Sequence, residues 1–146
     1  MNKYKKDGEI LAEVYRNANL AMASICDILP AVENAKVKGE IVRQHEEYEK
    51  ICAKASALAK QYGMEIKGPS PIKKAMMWGA IKMNTAVDNS AKNVATLMIR
   101  GTVNGITSLK SSYSSMSADA KEDVKALLCD LIALEENNEK RLKALL

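Results

Sequence analysis

One histidine, His45, lies within a run of helix-forming residues from Glu40 to Tyr62, with Gln44 just before it and Tyr48 three positions after it. All three fall on or beside positions that otherwise repeat as apolar, where an unpaired polar group is costly to bury. Asn17 earlier in the chain, and Glu135 and Asn138 near its end, interrupt apolar stripes in the same way. Two kinds of chemistry use such residues. Imidazole and carboxylate together can hold a divalent metal; His45 and Glu135 are then the candidate ligands of a single ion or small ligand, with Glu47 or Tyr48 beside them. Alternatively Asn17, Gln44, His45, Tyr48, Glu135 and Asn138 form a buried cluster whose hydrogen bonds satisfy one another. If His45 stands beside Glu135, the carboxylate favours the imidazolium, and a pH-sensitive core is expected.

Whichever chemistry applies, helices must position it. Leu11, Val14, Tyr15, Ala18, Met22, Ile25 and Leu29 recur at spacings of three and four, which predicts a helix over about 3–29, stopped by Pro30. A second is expected over 34–63, capped by Asn34 and closed by Gly63. The turn-rich stretch 64–70 leads through Ser70 and Pro71 into a short helix over 71–86 carrying Met76, Met77, Trp78 and Ile81. These four are the candidate interface residues if the helix covers the outside of the core and meets a partner. A fourth helix is expected over 90–114. Gly101 and Gly105 lie on its stripe, where they weaken the helix and suggest close approach to a neighbour. A fifth is expected over 117–145, with Ser117 as its cap.

The 146 residues, 47% hydrophobic and 27% charged, suit one domain, spanning 1–146, with a core of its own. The net charge of +4 is spread along the chain. Its short basic runs lack interleaved aromatics, so no nucleic-acid partner is expected. No run is long and apolar enough for a membrane span, and no apolar leader segment stands at the start. Cys26, Cys52 and Cys129 are odd in number and widely spaced, fitting neither a disulfide framework nor a zinc site. A cytoplasmic protein with reduced thiols is expected.

Short turns join the first helix to the second and the last two to each other, while about 26 residues, including the short helix, separate the second long helix from the third. Two hairpins joined by one long crossover resemble the ferritin-like superfamily: an all-α four-helix bundle with a long crossover containing a short extra helix. The segments IKMNTAVDNS, MIRGTVNGI and EENNEKRLKALL are also similar to a group of bacterial proteins of this type, a resemblance that brings no activity with it. The superfamily implies a diiron site built from a Glu on each of two helices and Glu-x-x-His on each of the other two. At 1.5 Å per residue, Asn17, His45, Gly101 and Glu135 all lie roughly 15–18 Å from one end of such a bundle. The ligand pattern is not met: Val42 stands three before His45, and Asn138 three after Glu135. The expectation is a binding or structural protein, a homo-oligomer if the short helix pairs, with no cofactor. A metal-dependent oxidase or metal-storage protein, holding iron or another divalent ion at His45 and Glu135, is the alternative.

Overall fold

The polar positions are carried by five helices, α1 (Lys5–Ile28), α2 (Ala35–Gln61), α3 (Pro71–Val87), α4 (Ala91–Met116) and α5 (Glu122–Lys143), with single 3-10 turns at Leu29–Ala31 and Ser117–Asp119. The computed structural model describes residues 5–146, with side chains for all but 5, 116 and 117, so the expected first residues of α1 lie outside the described residues.

Most helix boundaries follow the local chemistry. The Asn34 carboxamide oxygen accepts from the backbone N–H groups of Lys36 and Val37, satisfying two donors at the start of α2. Gly63 closes that helix with φ +65°, a conformation that costs glycine little. Ser70 caps α3, and the Ser90 hydroxyl accepts from the N–H of Asn93 in the first turn of α4. The last helix departs from expectation: α5 begins at Glu122, with Lys121 in the cap position and Ser117 inside the preceding 3-10 turn. Asp7 of α1 accepts the Lys121 N–H at 2.7 Å, so a carboxylate from another helix supplies the anchor that local sequence was expected to give.

Contacts between the helices fix their directions. Asn19 meets Cys52, and Cys26 meets His45, so α1 and α2 are antiparallel. Tyr48 meets Glu135 and Tyr62 meets Asp123, so α5 is antiparallel to α2. Ser108 meets Glu13 and Gly105 lies beside Asn17, which makes α4 antiparallel to α1 and therefore parallel to α2. The chain must return along the bundle between α2 and α4. Gly68 lies beside the Tyr15 ring, and Asn89 donates to the Ala31 carbonyl. The connection and α3 thus climb alongside α1. One core runs through the assembly, with Ile10, Leu11, Ile25, Ile41, Leu109, Leu128, Leu131 and Leu142 buried together. Each such side chain contributes about 1.5–3 kcal/mol by leaving water.

The two glycines of α4 differ. A Cβ at Gly105 would lie 3.3 Å from Glu135 Oε1, so this position does hold a close approach. Gly101 is exposed, and a Cβ there would meet nothing within 4 Å, so the expected close approach is not found at that position. Gly101→Ala should therefore stabilise the protein by about 1 kcal/mol through helix propensity alone. Urea titration checks it; Gly105→Ala should gain less, because its methyl presses on the carboxylate.

Candidate functional site

At the centre of the bundle, α2 and α5 exchange a directed chain of hydrogen bonds. Arg43 Nη2 donates to Asn138 Oδ1 at 3.0 Å, Asn138 Nδ2 donates to the Tyr48 hydroxyl at 3.1 Å, and that hydroxyl donates to Glu135 Oε2 at 2.9 Å. Every donor points toward Glu135, so the bonds polarise one another in a single direction. At the other end, Arg43 clasps Glu40 through Nε and Nη2 at 3.0 and 2.9 Å, and Arg141 reaches the same carboxylate at 2.6 Å. Gln44 Nε2 lies 3.4 Å from Glu40 Oε1, while Gln44 Oε1 is buried without a partner.

The two carboxylates respond oppositely. Burial tends to raise the Glu40 pKa, but the hydrogen bonds of Arg43, Arg141 and Gln44 outweigh it and hold the group at about 2. Burial pushes Glu135 up to about 7, and the Tyr48 hydroxyl only partly offsets this. Burial together with the Glu135 charge keeps the Tyr48 phenol well above its ordinary range. Glu135 is 3% exposed. Its Oε1 and the Asn17 Oδ1 both face the gap left by Gly105, at 3.3 and 3.6 Å from the point where a Cβ would stand.

Of the six expected cluster members, Tyr48, Glu135, Asn138 and Gln44 belong to this chain or border it. Asn17 is turned mainly toward its own helix, where Nδ2 donates to the Glu13 carbonyl at 2.9 Å and to Glu13 Oε1 at 3.1 Å. His45 stands apart: its Nε2 is 3.7 Å from Cys26 Sγ, and its Nδ1 is 3.8 Å from Glu49 Oε2. The reason is angular. Ile41, Gln44, Tyr48 and Ala55 define the core line of α2, and His45 lies roughly 70° from it at about 100° per residue, toward α1. Tyr48, one turn further along, takes the place beside Glu135 that the depth argument gave to His45. The pH-sensitive pair expected of His45 and Glu135 is therefore replaced by Glu135 with a tyrosine. Among the described residues no three His, Cys, Asp or Glu side chains gather where a metal could be held.

Sequence reasoning missed Glu40, Arg43 and Arg141. The signal was present, since Glu40 and Arg43 are an i,i+3 pair on the edge of the α2 stripe. Glu13 of α1 meets α4: its Oε1 accepts from the Ser108 hydroxyl at 2.6 Å, and that bond with those of Arg16 and Asn17 keeps its pKa low against burial. The expected interface residues divide. Met76 and Trp78 are exposed, whereas Ile81 is buried and Met77 half-buried against the core, as the inward side of α3. All three cysteines are free thiols; Cys52 is buried and its thiol is pushed up to about 11, while Cys26 and Cys129 are exposed.

The fold and site together define an all-helical bundle whose polar centre is hydrogen-bonded within itself apart from the buried Gln44 Oε1. No known family, curated protein or solved structure matches the chain. No helix among the described residues is long and apolar enough to cross a membrane.

Proposed function

We propose that the chain is a ferritin-like bundle with α3 as the extra helix of its crossover, a non-catalytic interaction protein of reducing compartments that works through the outer face of α3. The observation that carries this reading is a contrast between two places in the molecule. The centre, where a diiron protein of this plan keeps its metals, is occupied by protein groups bonded to one another; the outside of α3 is apolar and uncovered. The residues at the centre do not fit two irons. Such a site needs several carboxylates and imidazoles. Here Glu135 is the central carboxylate, its neighbour is a tyrosine, His45 faces Cys26, and the chain begins at the Arg43 guanidinium, whose fixed positive charge opposes a metal cation.

A second reading, a metal-binding bundle with a reduced ligand set, draws on the two acceptor oxygens of Glu135 and Asn17 that converge over Gly105. Elemental analysis of protein purified without chelators, followed by calorimetric titration with iron(II), manganese(II) and zinc(II), separates the two. Substoichiometric metal and no heat of binding are expected. One tightly held equivalent, lost in Glu135→Gln, would replace the first reading with the second. The surface role is tested separately with a photo-crosslinking residue at Met83. It should yield specific adducts in cells that the same residue at Lys54 does not; no adduct at Met83 would refute the surface role.

A further inference from the structure

The outer stripe of α3 is symmetric in a way that names its partner. Ile72, Met76, Met83 and Val87 are 74%, 71%, 75% and 89% exposed. At roughly 100° per residue they share an arc of about 60°, opposite the buried Ile81 and Thr85, and the line runs about 22 Å along the helix. Ile72 and Val87 are equally distant from the midpoint between Gly79 and Ala80, and so are Met76 and Met83. We infer that the partner is a second copy of this chain, docked α3 against α3 in antiparallel register, with the twofold axis passing between Gly79 and Ala80. This inference rests on the outer face of α3 being the interaction surface proposed above.

An isologous contact requires a self-complementary patch, and this one supplies it. The register sets Ile72 on the partner's Val87 and Met76 on the partner's Met83, large apolar side chain on large apolar side chain. At the crossing point the residues are the two smallest. A Cβ added at Gly79 would meet nothing within 4 Å, so the helix axes are free to approach closely there. Lys73, Lys74 and Lys82 lie off the stripe, and the same register sets them against the partner's Ala86, Thr85 and Met77. No lysine of α3 faces a lysine of its counterpart, so the pairing avoids a like-charge clash. The area is also sufficient. Four large side chains at this exposure, in line, reach the top of the ~300–600 Å² that the largest apolar patch of a monomer covers. The alanines at 75, 80 and 86 extend it toward the ~800 Å² each partner gives to a standard interface. Trp78 is turned away from the stripe, with the Lys82 ammonium 6.0 Å from its ring centroid, so it does not take part.

Sedimentation velocity across the micromolar range, on the full chain with reductant present, tests this. The wild type should show a monomer–dimer equilibrium. Met76→Glu and Met83→Lys should each weaken it at least tenfold with unchanged circular dichroism, since both positions are exposed, and Trp78→Ala should leave it unchanged. Mixing the Met76→Glu chain with the Met83→Lys chain should restore a dimer, because the antiparallel register alone sets the new glutamate against the new lysine. A monomeric wild type at every concentration overturns the inference, as does a dimer indifferent to Met76→Glu or a mixture that fails to recover. If the Met83 crosslinker joins a different protein instead of a second copy, the inference falls and the interaction reading stands; if it joins nothing, both fall.

Discussion

Glu135→Gln should make the protein more stable at pH 8 and leave it nearly unchanged at pH 4. The Glu135 carboxyl is buried, and its folded pKa of about 7 stands above the ordinary 4.5. A raised acid pKa means that the unfolded chain gives up this proton at lower pH than the folded one. Below pH 4.5 both states are protonated and the group costs nothing. Between 4.5 and 7 the unfolded state ionises first, so stability falls as pH rises, and above 7 the full penalty is present. At 1.36 kcal/mol per pKa unit the shift corresponds to about 3 kcal/mol. Glutamine removes this term and keeps the shape. Its carbonyl can still accept from the Tyr48 hydroxyl, and its amide can face the gap over Gly105 that the Asn17 Oδ1 also lines. Urea unfolding of both proteins from pH 4 to pH 8 should show curves that converge at the acid end and separate by about 2–3 kcal/mol at the alkaline end. Parallel curves would show that burial does not disfavour the charged form.

Tyr48→Phe should do the reverse, and its cost should itself depend on pH. The hydroxyl is at once the donor to Glu135 Oε2 and the acceptor for Asn138 Nδ2. Removing it leaves both groups short of a partner in places where Glu135 is 3% exposed and Asn138 is 0% exposed. Each stranded group costs about 1–3 kcal/mol, so a loss of about 2–4 kcal/mol is expected. A bond to an ionised carboxylate is stronger than one to a neutral acid. The loss should therefore be about 1 kcal/mol larger at pH 8 than at pH 4.5. In the Glu135→Gln background this pH dependence should vanish. A double-mutant cycle measured at the two pH values checks it, and a loss independent of pH in the wild-type background would mean that the hydroxyl does not sense the charge. Glu40 carries the opposite linkage. Its low pKa contributes stability that is complete above pH 4.5 and fades as pH falls toward 2. The two groups together should place the most stable pH near 4.5.

The helices were legible because their signals are local. Asn34, Ser70 with Pro71, and Gly63 mark ends that the backbone adopts for reasons contained within a few residues. The start of α5 was not, because its anchor is Asp7, more than a hundred residues away. The polar centre was half legible. Periodicity identified Tyr48, Glu135 and Asn138 as intruders in apolar stripes, but counting depth along straight helices could not choose between His45 and Tyr48. One turn of offset and some 70° of rotation decide which of them faces α5. Arg43 and Arg141 escaped notice because an arginine on the border of a stripe reads as solvated surface. Its long side chain nonetheless carries the guanidinium to a buried carboxylate. On α3 the apolar residues were recognised but not sorted. A short helix that is apolar on both sides gives no sign of which side it buries until α1 is set against it.

The parallel run of α2 and α4 has a consequence for how the molecule is put together. Each hairpin, α1 with α2 and α4 with α5, closes across a short turn through contacts near in sequence, whereas the two halves meet through contacts far apart in sequence. Aliphatic stripes by themselves tolerate sliding, since one leucine serves nearly as well as the next. The chain from Arg43 to Glu135 does not. Moving α5 by one turn, about 5.4 Å, would set Tyr48 opposite Leu131 and deprive Glu135 of its donor. The polar centre thus works as the notch of a key, admitting one alignment of the two halves and making the neighbouring ones unfavourable.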